Sequence, residues 1–321
     1  MLGTPASVPQ DGHDRAMRTP AELPDHLLLR PFSLRDAQRA GVRAGRLNAR
    51  DLHIPFPGVR DHVGGGAAGL ARRCRQFAER MKPWHFFSHG TALALVGAPL
   101  PMGPVAEEIH VSAHRPHREP RVVGVVGHRL QESETVVHTV SGLPVENPAR
   151  AWRQVGASWR LDDLVAAGDY LVGRGRLATL DELRREVEGM GGRGAARMNA
   201  ALDAIRVGSE SSEETRLRLV LGRAGLPEPE LNWVLRDAGG RFVARLDLAY
   251  PRWQVGTEYD GRQHAFDVDQ FRRDSDRWPA IRRAGWEVVR VLRHHLRDGG
   301  TPAVLLVREA LTRAGWSPGR G

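Results

Sequence analysis

Three carboxylates lie close together along RLDLAYPRWQVGTEYDGRQH, residues 245–264: Asp247, Glu258 and Asp260. Side chains alternate faces along an extended chain, so Glu258 and Asp260 point the same way. Tyr250, Pro251 and Arg252 separate two runs as a turn does, and folding back there brings Asp247 beside Glu258 across an antiparallel pair. Such a patch repels itself until a cation neutralises it, and hard carboxylate oxygens suit Mg2+ or Mn2+ better than zinc. The chemistry this set can run is phosphodiester hydrolysis, which needs an activated water and cations that absorb charge in the transition state. In that reading Asp247 and Glu258 hold the metal, and Glu214 on the preceding helix supplies another oxygen. Asp260 binds a second metal or orients water. His264, whose ordinary pKa of about 6.5 lets it accept or donate a proton, handles proton transfer, and Gln263 positions phosphate or water. Arg272, Arg273 and Arg277 lie along one helix and can hold backbone phosphates. The competing reading is structural: Asp260-Gly261 ends the strand, and Asp247 pairs with Arg245 or Arg290 in an arginine-rich sheet.

These side chains need a scaffold. A small polar linker, Val207 to Ser212, precedes a helix over Glu213 to Arg223, which Gly225 ends by adopting the left-handed cap and Pro227 cannot continue. Strands follow at Leu231 to Arg236, Phe242 to Tyr250, Gln254 to Tyr259 and Glu287 to Leu292. A helix over Val268 to Ala284 joins the last two, with a kink or restart expected near Trp278 because Pro279 follows. The order α-β-β-β-α-β, with a final helix Thr301 to Ala314, makes a mixed domain over residues 208–321.

Upstream, residues 1–27 read as a disordered tail without the apolar centre of a secretory signal. Residues 28–66 read as a winged-helix-like module: Ser33 caps a helix through Ala40, Gly41 ends it, and Ala44 to Asp51 opens a second short helix before a Pro/Gly-rich extended piece. Residues 67–207 form an α+β middle module. It has a basic helix over Ala67 to Lys82 and a helix over Ser88 to Val96 capped by Ser88. Strands follow at Glu108 to Ser112, Arg121 to Leu130 and Val136 to Val145, then four helices as far as Ile205. His85, His89, His110, His114, His117, His128 and His138 crowd this module, but their spacing fits no familiar ligand set and no cysteine partners them, so they read as surface and capping histidines. Gly189 to Gly194 reads as an inter-helix link, not a phosphate loop. Cys74 is the only cysteine, which excludes an intramolecular disulfide and fits a reducing cytoplasm. No apolar run approaches a membrane span. Forty-seven basic residues against 38 acidic ones leave a formal net charge of +9, which attracts polyanions, nucleic acid first.

The C-terminal third, Gly208 to Trp316, resembles the domain of unknown function 559 within the very-short-patch-repair endonuclease-like group of the PD-(D/E)XK nuclease superfamily. SESSEETRLRL, AGLPEP, ARLDLAYP, VGTEYDGRQH, FRRDSDR and RRAGWEVVRV occur in that order. The resemblance implies a restriction-endonuclease-like α/β domain and Mg2+-dependent DNA cleavage. It assigns family positions to Glu214, Asp247, Glu258, Asp260, His264, Asp274 and Arg277. The superfamily's ExK lysine is absent, with Asp260 in its place; the very-short-patch-repair branch also lacks it and relies on histidine. Leu28 to Ile205 resembles an abortive-infection type IV antitoxin-like architecture through WHFFSHGTALALVGAPLP and EIHVSAHRP, which implies a DNA-binding or regulatory module.

The expectation is an α+β multidomain chain acting as a cytoplasmic Mg2+- or Mn2+-dependent DNA endonuclease. The alternative is an antitoxin-type DNA-binding regulator with an inactive nuclease-like domain. DNA is the expected partner, and no membrane is. The antitoxin resemblance admits a toxin or defence-system partner, and cutting both strands of a duplex admits a homodimer.

Overall fold

The computed structural model describes residues 20–64, 69–101, 108–131, 137–260 and 277–319. The chain is mixed α and β with several sheets, and it divides into two compact units at Met81/Lys82.

In the first unit, helix α1 (Asp25–Leu28) precedes β1 (Phe32–Ser33) and α2 (Leu34–Arg39); β2 (Leu52–His53), β3 (Val59–His62) and α3 (Leu70–Ala78) follow. The strands form one small sheet in the order β1-β3-β2. Ser33 caps α2 by accepting the Asp36 N–H at 3.1 Å, and Gly41, at φ 73°, ends it. Residues 20–27, expected within a disordered tail, belong to this unit, while residues 1–19 of that expected tail lie outside the described residues. Leu23 and Leu27 are buried in this unit's core with Phe32 and Ala37. The second short helix expected at Ala44 to Asp51 is a single 3-10 turn, Arg46–Asn48. Its Leu47 carbonyl accepts from the buried Arg60 guanidinium at 2.6 Å, which diverts it from a continuing helix. Helix α3, grouped by sequence with the middle module, is tied to β3 through Arg72 and Gln76, both bonded to the buried Asp61.

In the second unit, β4 (His85–Phe87) leads into α4 (His89–Leu95), then β5 (Ile109–His114), β6 (Val125–Leu130), β7 (His138–Val140) and β8 (Leu143–Val145). The sheet order is β6-β5-β4-β8-β7. Ser88 occupies the N-cap position of α4 but makes no capping bond, because its hydroxyl accepts from buried Ser112 at 2.6 Å and contacts His89 Nδ1 at 3.0 Å. Helices α5 (Pro148–Gln154), α6 (Leu161–Val172), α7 (Leu180–Val187) and α8 (Arg193–Ala204) follow, with Gly189 and Gly192 turning the chain at positive φ.

The C-terminal part begins with α9 (Ser212–Arg223), capped by Ser211 and ended by Gly225 at φ 76°. Next come β9 (Glu230–Arg236), β10 (Phe242–Tyr250), β11 (Val255–Asp260), α10 (residues 277–283), β12 (Glu287–Leu292) and α11 (Thr301–Arg313). The sheet order is β12-β11-β10-β9, antiparallel except for the parallel β11/β12 pair, whose connection contains α10. Leu217 and Leu221 of α9, with Val304, Val307 and Leu311 of α11, pack on Leu248, Tyr250, Val255 and Val291. Ile281 of α10 and Trp286 pack on Leu235, Ala244, Leu246 and Ala249. Pro279 lies within helical residues 277–283; the segment before them, which would show the expected kink, lies outside the described residues.

One buried ion pair joins the middle module to this sheet domain. Asp169 of α6 accepts from Arg218 of α9 at 2.9 Å, from Thr215 Oγ1 at 2.7 Å and from the Arg206 N–H at 2.7 Å. Asp169 is 1% exposed and Arg218 4%, so neither charge has solvent to replace its partner. No described helix is long and apolar enough to cross a membrane.

Candidate functional site

The β10/β11 hairpin forms as its turn residues suggest, with Leu248 opposite Thr257 and Tyr250 opposite Val255. One step beyond Leu248, Asp247 leaves the ladder in an informative way. Its Oδ2 accepts the backbone N–H of Tyr259 at 2.9 Å, so a carboxylate stands where a strand carbonyl would ordinarily sit. Burial pushes the Asp247 carboxyl above the usual carboxylate range, against the pull of the Tyr259 N–H and the Arg277 and Arg245 charges.

Glu214 enters from the first turn of α9. Its Oε2 accepts the Glu210 N–H at 2.9 Å and its Oε1 accepts the Ser211 hydroxyl at 2.9 Å, so it helps close the start of that helix. Its pKa is also raised, by burial first and then by the nearby negative charge of Asp247. Neither Glu214 nor Asp247 makes a salt bridge among the described residues. These two half-buried carboxylates therefore repel each other at neutral pH.

The remaining acids are answered by arginine. Arg277 of α10 donates to Glu258 and to the Arg245 carbonyl, the latter at 2.9 Å. Arg245 pairs with Glu210 at 2.5 Å, not with Asp247. Arg290, opposite Glu258 on the parallel strand β12, pairs with Asp260. The convergence expected of Asp247, Glu258 and Asp260 on one patch thus gives way to a different grouping. The charge of Asp247 acts on Glu214, Glu258 is held by Arg277, and Asp260 turns to Arg290. The cause is the parallel neighbour β12, which sets an arginine beside the outer end of β11. Of the other site residues expected from sequence, His264, Gln263, Arg272, Arg273 and Asp274 lie outside the described residues.

A second grouping was not expected from sequence. Among the described residues, the one set of three ligand-type side chains whose donor atoms all lie within 4.8 Å of one another is His89, His110 and His128. It joins the start of α4 to β5 and β6. The parallel register aligns Ser112 with His128 and so sets His110 and His128 diagonally across neighbouring strands.

No protein-family model matches the chain. Two curated relatives from Mycobacterium tuberculosis, uncharacterized protein MT2308 of strain CDC 1551 / Oshkosh and uncharacterized protein Rv2248 of strain ATCC 25618 / H37Rv, are each 29% identical over 167 residues. These matches cover 52% of this chain and 59% of each relative, so the chain spans about three fifths of the relatives' length. Among solved structures, that of the RV2827C protein from Mycobacterium tuberculosis aligns with a TM-score of 0.37 at 17% identity, over 54% of this chain and 71% of that one.

Proposed function

We propose that the C-terminal domain is a metal-dependent DNA endonuclease whose site is built on Glu214, Asp247 and Glu258. The observation that carries this reading is the pair Glu214 and Asp247: two half-buried carboxylates, one on the Tyr259 N–H and one on the Glu210 N–H, each raised in pKa, with the charge of Asp247 acting on Glu214 and neither in a salt bridge among the described residues. Protein folds rarely keep such a pair unless the repulsion is used, and hard oxygen donors of this kind fit Mg2+ or Mn2+. The α-β-β-β-α-β order around the pair supports the restriction-endonuclease-like reading of this domain, and the basic chain supports a polyanionic substrate.

In this mechanism Asp247 and Glu214 hold the cation, which supplies charge stabilisation at the scissile phosphate. Arg277 exchanges Glu258 for a backbone phosphate as DNA docks, which its planar guanidinium does well. Glu258, so released, turns its carboxylate towards Asp247. His264 moves the proton and Gln263 orients water or phosphate, with Arg272 and Arg273 on the flanking backbone. Plasmid nicking by the full chain with Mg2+, Mn2+ or EDTA tests the reading: metal-dependent nicking lost in Asp247→Asn supports it, and equal cutting by parent and variant overturns it.

A second reading rests on the ion pairs Glu258–Arg277 and Asp260–Arg290. If the arginines neutralise these acids permanently, the domain binds DNA without cutting it and the chain is an antitoxin-type regulator. Sequence-preferring binding in a gel shift, with no cleavage under any divalent ion, selects that reading.

A further inference from the structure

The geometry points to a binding site for a divalent transition-metal ion, of the zinc class, formed by His89, His110 and His128 in the middle module. This site is separate from the acidic one and does not depend on the endonuclease reading.

His110 Nδ1 and His128 Nε2 face each other at 2.9 Å. Two imidazole nitrogens at about 2.0–2.1 Å from one zinc lie about 3–3.4 Å apart, so these two need move only slightly to share an ion. One of the two nitrogens carries a hydrogen in the free protein, and ligation requires that ring to switch tautomer. The third ring, His89, stacks on His128 with centroids 3.7 Å apart and 18° between planes. An ion in the plane of one stacked ring lies outside the plane of the other, so His89 and His128 splay on binding. The broad χ2 torsion of histidine permits this.

Three further observations favour ligation over simple stacking. First, the three rings converge from separate elements, with His89 and His110 stacked at a centroid separation of 5.4 Å and one ligand atom of each ring within 4.8 Å of the others. Second, His89 Nδ1 is engaged by Ser88 Oγ at 3.0 Å, itself backed by buried Ser112, which leaves Nε2 for the ion. Metal-binding histidines are characteristically oriented through the other ring nitrogen in this way. Third, His89 adopts φ 52°, a left-handed conformation costly for a residue with a Cβ, and its N–H is fixed by Gln154 Oε1 at 2.9 Å. The backbone is held in strain at the residue that closes the cluster. Borderline-soft imidazole donors select zinc, cobalt, nickel or copper over Mg2+. Three ligands leave a fourth position for water or another group.

The test uses the full chain, stripped with chelator and titrated with Co2+ alone. The expected result is one equivalent giving the intense visible absorption of imidazole-ligated Co2+, which Zn2+ displaces and excess Mg2+ does not. His128→Phe, which keeps a flat ring in the stack, weakens binding by more than the roughly 100-fold that loss of an orienting partner can cost. Circular dichroism confirms its fold; should it not fold, the parent's Co2+ spectrum decides alone. A parent without that absorption, or one binding Co2+ no tighter than His128→Phe, overturns the inference. So does a signal that disappears with the adjacent pair His294→Ala/His295→Ala instead. Asp247→Asn leaves the signal unchanged, which keeps failure of this site distinct from failure of the acidic one.

Discussion

The acidic edge of the C-terminal sheet and the histidine cluster of the middle sheet solve opposite problems. At the acidic edge, charge concentrates within a short stretch of chain and the fold must answer it, which it does with Arg245, Arg277 and Arg290. A metal there competes with the protein's own guanidinium groups. At the histidine cluster the ligands are neutral, so three of them can touch without a counter-charge. The comparison teaches that like-charged ligands advertise a site in sequence yet are partly spoken for once folded. Neutral ligands advertise little and are already assembled.

Both regions lie in one compact unit, joined by the Asp169–Arg218 pair. The largest effect should come from cutting that joint. Asp169→Ala leaves the buried Arg218 with only the more distant Glu228, at 3.8 Å, and should cost about 3 kcal/mol in chemical denaturation. If the histidine-bearing half keeps the parent's midpoint, the two regions fold independently and the comparison concerns two separate domains. Next, Asp247→Asn should lower metal-dependent nicking by roughly 10²–10³-fold or more, the scale on which loss of a group stabilising transition-state charge is felt. Glu258→Ala frees Arg277 as well as removing an oxygen, so it sharpens the comparison: weaker nicking with tighter, more salt-dependent DNA binding marks Arg277 as a phosphate ligand.

The neutral cluster should respond to different ions. Zn2+ at about 100 times its dissociation constant should stabilise the chain by about 2.7 kcal/mol, read as a rise in melting temperature absent from His128→Phe and from Mg2+. Ser88→Ala removes the group that orients His89 and should weaken Co2+ binding about 10–100-fold while the three ligands remain. An unchanged affinity would mean that the backbone conformation of His89, not its hydrogen bond, sets the ring.

The acidic stretch could be found in sequence because alternation and a turn are local signals. The strand Phe242 to Tyr250 and the helix end at Gly225 follow from the same kind of information. The partners of the acids were harder to find, since the pairing of Asp260 with Arg290 depends on a parallel register set by residues thirty positions away. In the middle module, β4 has no signature in sequence because its three residues, His85–Phe87, owe their state to β5 and β8 on either side and not to any pattern of their own. The run Val136 to Val145 predicts one strand, whereas Ser141-Gly142, both at positive φ, split it into a hairpin. A Ser-Gly pair is itself a local turn signal. The histidines carried no such signal. Their spacing means nothing until β5 and β6 pair in parallel and α4 begins beside them.

The smallest effect separates the two regions by stability alone. Glu214 and Asp247 both have folded-state pKa values above the ordinary carboxylate range, so each contributes more stability protonated than ionised. That contribution is present below the unfolded pKa and is lost as pH rises through the raised folded value. At neutral pH in EDTA the pair therefore costs stability, and Glu214→Gln, which keeps an acceptor for the Glu210 N–H, should raise the melting temperature by on the order of 1–3 °C. The gain should shrink as pH is lowered, because the parent's own carboxyls then protonate and lose their repulsion. The cluster variant His128→Phe has no such charge to relieve and should show no gain in EDTA. If Glu214→Gln instead destabilises the domain at every pH, capping of α9 outweighs repulsion at this position, and Glu214 is held in place by structure, not by a metal it awaits.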